Sequence, residues 1–92
     1  MLPDTRDALV AKLLSTIACE MVDQPEFVSI KTLVADGGAT FTIQSHPDDT
    51  GKLIGKQGRN AKSIRIIFSA IGMKLHRRYA IDVDGERVES GM

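Results

Sequence analysis

Gly55 and Gly58 stand three residues apart in the stretch GKLIGKQGRN (51–60), with Lys56 and Gln57 between them. Glycines at both ends of a two-residue loop let another backbone come close, because neither carries a Cβ. Arg59 and Asn60 follow at the start of an apolar pattern of helical spacing, and Lys62 and Arg65 continue a positive edge along it. The first N–H groups of such a helix have no partner within it and carry the positive end of its dipole. Backbone amides, a lysine and a helix N-terminus therefore converge on one place. The chemistry this permits is the holding of phosphate groups, with no bond broken.

Other chemistries fit less well. A Walker-type loop needs four residues between its glycines and then Lys-Ser/Thr. GKLIGKQ has three residues between Gly51 and Gly55 and a glutamine after the lysine. Ser45 and Ser63 have no histidine and acid at a recognisable spacing, so no nucleophilic triad is read. His46 and His76 are too far apart in the chain to suggest a metal pair, and no Cys-x-x-Cys supports them. Cys19 is a single cysteine in an apolar helical pattern and reads as a small hydrophobe. No enzyme, metal or cofactor is implied.

Charge segregation supports anion binding. The 92-residue chain has 12 basic and 12 acidic residues and a formal net charge of zero. Between Thr50 and Ile81, however, lie eight bases (Lys52, Lys56, Arg59, Lys62, Arg65, Lys74, Arg77 and Arg78) and no acid. A solvated helix face normally mixes the signs, and this one does not. A bland average thus conceals a positive region.

The elements that position the loop follow from periodicity. Residues 4–22 form an amphipathic helix with Val10, Leu13, Leu14, Ile17 and Met21 inward and Asp4 or Thr5 as cap. Pro25 ends it. FVSIKTLV (27–34) reads as a half-buried strand, ADGGA (35–39) as a hairpin turn, and Ala39, Phe41 and Ile43 as the inward face of a second strand. Pro47 with Asp48 and Asp49 opens a short helix that Gly55 ends. A longer helix is expected from Arg59 to Ile71, buried through Ala61, Ile64, Ile67, Phe68 and Ile71 and stopped by Gly72. Ile66 falls off that stripe and suits a groove or a partner contact. RRYAIDVD (77–84) is a third strand with Tyr79, Ile81 and Val83 inward. The order helix-strand-strand-helix-helix-strand gives a two-layer α+β domain, a three-stranded sheet covered on one side by three helices. Residues 1–84 are expected to form this single domain, with 85–92 a flexible tail. No targeting or membrane-spanning segment is read, so the expected compartment is the cytoplasm.

LIGKQGRNAKSIR (53–65) resembles the GxxG signature of the KH RNA-binding domain, including the aliphatic pair before the first glycine. The element order resembles the type II KH arrangement. Size and the wording of residues 51–65 are most similar to the small bacterial single-KH proteins of the KhpA family, over roughly residues 3–84. This resemblance implies single-stranded RNA binding of low sequence specificity, in an RNA chaperone-like or post-transcriptional role. It implies a site of Ile54, Gly55, Lys56, Gln57, Gly58, Arg59, Asn60, Lys62 and Arg65. Ile54 and the Ala61–Ile64 turn would form one aliphatic wall for bases and Phe41–Gln44 the other. Ala61 stands where many KH domains have a branched residue, which makes the groove shallower. The implied partners are RNA and either a second copy or a larger KH-containing RNA-binding protein. The rival expectation is a KH fold used only for protein contact.

Overall fold

The computed structural model describes residues 5–85. Its elements are α1 (Thr5–Met21), β1 (Ser29–Ala35), β2 (Gly38–Gln44), α2 (Thr50–Ile54), α3 (Arg59–Leu75) and β3 (Arg78–Val83), with short 3-10 turns at Pro25–Phe27, Pro47–Asp49 and Lys56–Gly58. The sheet order is β1-β2-β3. β1 and β2 pair antiparallel through a turn at Asp36 and Gly37, whereas β2 and β3 pair parallel. A parallel neighbour requires a crossover. α2, the glycine loop and α3 form that crossover, so the sheet itself fixes where the loop is held.

The α+β arrangement agrees with the expected fold class: a mixed three-stranded sheet with three helices. Its core joins Val10, Leu14 and Ala18 of α1 to Phe41 and Ile43 of β2, Leu53 of α2, Ile64 and Phe68 of α3, and Tyr79, Ile81 and Val83 of β3. The alternation read in β2 and β3 holds, with Phe41 and Ile43 fully buried between half-buried threonines.

Four expectations are corrected. α3 does not stop at Gly72 but runs to Leu75, and His76, in a left-handed conformation, ends it. Gly72 is buried inside the helix because a Cβ there would strike the Arg77 carbonyl and the Tyr79 ring. Ile67, expected in the core, is exposed, and Leu13 of α1 is largely outside as well. β1 is mostly exposed; Ile30 alone on it is half-buried, because β1 is an edge strand. The cap residue Asp4 lies outside the described residues, as does the tail from residue 86 on.

Candidate nucleic-acid interface

The crossover delivers three residues in positive-φ conformations within four positions: Gly55 (φ 79°), Gln57 (φ 58°) and Gly58 (φ 77°). The two glycines serve different ends. Gly55, with ψ 169°, occupies a region that only glycine adopts readily, and a Cβ there would lie 2.7 Å from Asn60 Cγ and 2.8 Å from Asn60 N. Its space is needed by the protein itself. Gly58 is left-handed with ψ 13°, and a Cβ on it would meet nothing within 4 Å. That side of the loop opens to solvent. Gln57 is a left-handed non-glycine residue, held there by the glycines on either side of Lys56 and Gln57, and its side chain is exposed.

α3 begins immediately behind. The Gly58 N–H donates to Gly55 O at 3.0 Å, and no side chain caps the first turn. The Arg59 N–H is turned back on Lys56 O, and the amides after it in that turn face the loop with the dipole's positive end behind them. Lys56, Arg59 and Lys62 are exposed and make no ion pair among the described residues.

Not every base of the segment is left without an acid. Lys52 Nζ lies 3.3 Å from Asp49 and 3.5 Å from Asp23, and the Asp49 carboxylate beside it, then Asp23, raises its pKa. Asp49 is buried under the loop-bearing helix. Burial alone would raise its pKa, but the backbone N–H groups of Gln24 and Asp23, together with Lys52, outweigh this and hold the pKa below its ordinary value. Arg77 donates through Nε to Asp7 Oδ1 at 3.1 Å and pairs with the same carboxylate through Nη2. The Tyr79 hydroxyl donates to Asp7 Oδ1 at 2.7 Å, and burial first, then this bond, pushes its pKa up to about 12. Asp49 is three residues from Lys52, whereas Asp23 and Asp7 belong to distant segments.

The structure brings Ile54, Gly55, Lys56, Gln57, Gly58, Arg59 and Lys62 together around the loop and gives two other expected contacts internal roles. Asn60 Nδ2 donates to Lys52 O at 2.8 Å, tying α3 to α2. Arg65 Nε donates to Ile81 O at 2.8 Å, bracing β3. The expected walls change further. Ala61 and Ile64 are buried, so only Ile54 of the first wall is half-exposed. Phe41–Gln44 is the central strand, paired on both sides with Phe41 and Ile43 fully buried, and offers bases no edge. The aliphatic surface present is a shallow hollow of about 510 Å³ along α3, lined by Lys62, Arg65, Ile66, Ser69, Ala70 and Met73. Ile66 is 61% and Met73 77% exposed. Helical spacing from Lys62 could have found it, since 62, 66, 69 and 73 share a face.

His46 Nδ1 accepts the Asp48 N–H at 3.1 Å, so that nitrogen serves a helix start. Among the described residues no group of three or more His, Cys, Asp or Glu is placed to hold a metal ion, and no helix is long and apolar enough to cross a membrane.

Comparison with known proteins bears on this geometry. The family model of the KhpA/KhpB KH domain matches residues 11–83. The chain is similar to an RNA-binding protein KhpA of Clostridium acetobutylicum, 36% identical over 72 residues that cover 78% of this chain and 96% of that protein. It is similar to the RNA-binding protein KhpA of Halalkalibacterium halodurans, 38% identical over 77% of this chain and 93% of that one. For the RNA-binding protein KhpA of Mycobacterium bovis the identity is 32%, over 84% and 96% respectively. No solved structure matches the chain.

Proposed function

This chain belongs to the KhpA/KhpB family of KH domains, and from that membership we propose that it binds single-stranded RNA at the GKQG loop and is not an enzyme. The observation that carries the reading is the loop's geometry: positive-φ residues turn the uncapped first turn of α3 outward beside Lys56, Arg59 and Lys62, which no acid among the described residues neutralises. A KH loop of this kind clamps a backbone of about four nucleotides. Phosphates lie against the amides and the three bases; the nucleobases lie on Ile54 and the hollow beginning at Lys62 and Ile66.

Aliphatic contact has little power to distinguish bases, which supports low sequence specificity and a chaperone-like or post-transcriptional role. With about three phosphates neutralised, the logarithm of affinity falls with that of salt at a slope of about −2. A single weak site gains from pairing, because linked copies raise avidity without new contacts. The proposed partners are accordingly a second copy or a larger KH-containing RNA-binding protein, with the cytoplasm as the working compartment.

Fluorescence anisotropy with short labelled single-stranded RNAs at two salt concentrations tests the clamp. The comparison is wild type against Lys56→Asp with Gln57→Asp. Aspartate tolerates the left-handed conformation at 57 better than most residues, so this variant keeps its fold. Salt-dependent binding by wild type and its loss in the variant are expected. Equal binding by both, or by neither, removes the clamp and leaves a KH fold devoted to protein contact.

A further inference from the structure

Asp49 stands immediately before α2, where an aspartate ordinarily turns its carboxylate onto the first amides of its own helix. It does not do so here: no side chain caps α2, and Asp49 is buried, 1% exposed. Its Oδ2 accepts the Gln24 N–H at 3.0 Å, from the connector between α1 and β1. Its Oδ1 has no hydrogen-bond partner among the described residues, and the Lys52 ammonium faces it at 3.3 Å. A buried carboxylate is costly unless other groups compensate it. No contact of the RNA clamp uses this one.

Lys52 is held at both ends. Its ammonium lies near Asp49 and, at 3.5 Å, near Asp23, while its carbonyl accepts Asn60 Nδ2–H at 2.8 Å. Asn60 in turn fills the space that Gly55 leaves, since a Cβ on Gly55 would lie 2.7 Å from Asn60 Cγ. Contacts therefore run without a break from the α1–β1 connector through Asp49, Lys52 and Asn60 to the first glycine of the loop. α2 has five residues, too few to hold a direction by its own hydrogen bonds, so the ties at its ends set it. We propose that Asp49 is a positioning residue for RNA binding, acting through Lys52 to hold α2, and with it the GKQG loop, in the orientation that phosphates require. Lys52 is then a tether and not a phosphate contact, although it belongs to the basic segment and precedes the loop by one helical turn. This role rests on RNA binding at the loop. Charge alone gives the opposite sign: an acid near a phosphate site repels it, so its removal tightens binding. Removal of a positioning residue weakens binding.

Anisotropy titrations of single-stranded RNA over a series of salt concentrations, with amide hydrogen exchange on the free full chain, test the role. Asp49→Asn keeps the size of the side chain and an acceptor for the Gln24 N–H but loses the charge that faces Lys52. Well below its melting temperature it binds RNA about fivefold more weakly than wild type, the lower end of coupling between separate sites, with the salt slope unchanged. Lys52→Met, at a side chain 43% exposed whose loss spares the fold, also weakens binding and keeps the slope. Lys56→Met, which removes a phosphate contact, flattens the slope by about 0.7. In both tether variants the Gly58 N–H, bonded to Gly55 O in wild type, loses protection from exchange. Equal or tighter binding by Asp49→Asn overturns the proposal. So does a flattened slope in Lys52→Met, which makes that lysine a phosphate contact. A wild type that binds no RNA removes the clamp instead, and hydrogen exchange then decides the tether by itself. Unchanged protection at Gly58 overturns the tether whether or not RNA binds.

Discussion

The two ends of α3 are written in similar residues and come out as opposites. Each has a glycine beside basic side chains: Gly58 with Lys56 and Arg59 at the start, Gly72 with Lys74, Arg77 and Arg78 at the end. At the start, glycine supplies a left-handed turn, no side chain caps the helix and the bases remain in solvent. At the end, Gly72 stays helical to admit the Arg77 backbone, and Arg77 turns inward to Asp7 and to the Gly38 carbonyl at 3.2 Å. The difference is an acid. Asp7 reaches the C-terminal end from α1, and no acid among the described residues reaches Lys56, Arg59 or Lys62. A base left without a partner beside a helix N-terminus is available for an external anion; a base met by a buried carboxylate is part of the fold.

Breaking the structural end has the largest expected effect. Asp7→Ala leaves Arg77 and the Tyr79 hydroxyl without their shared partner. Loss of one member of a buried pair costs about 3 kcal/mol, a fall in Tm of about 12 °C or more for a domain of this size. RNA affinity of the folded fraction stays unchanged. Gly55→Ala comes next. The residue sits where non-glycine backbone costs about 2 kcal/mol, and displacement of Asn60 loosens α3 from α2, so thermal stability and RNA binding fall together. Gly58→Ala sharpens the contrast between the glycines: its Cβ meets open space, and the left-handed conformation costs only about 1 kcal/mol. Binding measured by anisotropy therefore falls further than stability measured by denaturant unfolding.

The last effect, absent near neutral pH, is a pH dependence at the C-terminal end. The Tyr79 pKa is raised from 10.0 to about 12, so the fold favours the protonated phenol. Its stabilising contribution is complete below pH 10 and is lost as pH rises through about 12. Denaturant midpoints across this window decline in wild type, and Tyr79→Phe removes that part of the decline.

The loop and the framework were legible in the sequence because their signals are local. Gly55, Gly58 and the apolar spacing in β2, β3 and most of α3 each depend on neighbours a few residues away. What misled was non-local. Nothing near Arg77 reveals that its partner is 70 positions earlier; the available hint is at the other end, where Asp7 falls on the same helical stripe as Val10 and Leu14. Gly72 reads as a stop by composition, but it is required by the close passage of Arg77. Phe41–Gln44 alternates like any half-buried strand, and only the pairing order shows it to be central and closed to bases. Asn60 reads as a ligand contact from its place in the first turn of α3, and Arg65 because it extends a positive edge, whereas hydrogen bonds across elements engage both.

The clasp of Asp7 by Arg77 and Tyr79 also orders events during synthesis. Its hydrogen bonds span 70 and 72 positions, and the parallel pairing of β2 with β3 encloses the whole loop-bearing crossover between its two strands. α1 and the β1–β2 hairpin can form while the chain is still emerging, since their contacts are local. The near end of the crossover is tied to the earlier chain through Asp49 and Lys52, but its far end has no strand to hold it until Tyr79 has left the ribosome. Contacts of such long separation are slow to close because the entropy of the intervening chain is lost before they form. A chain truncated before β3 would carry every residue of the GKQG loop on a crossover fastened at one end only.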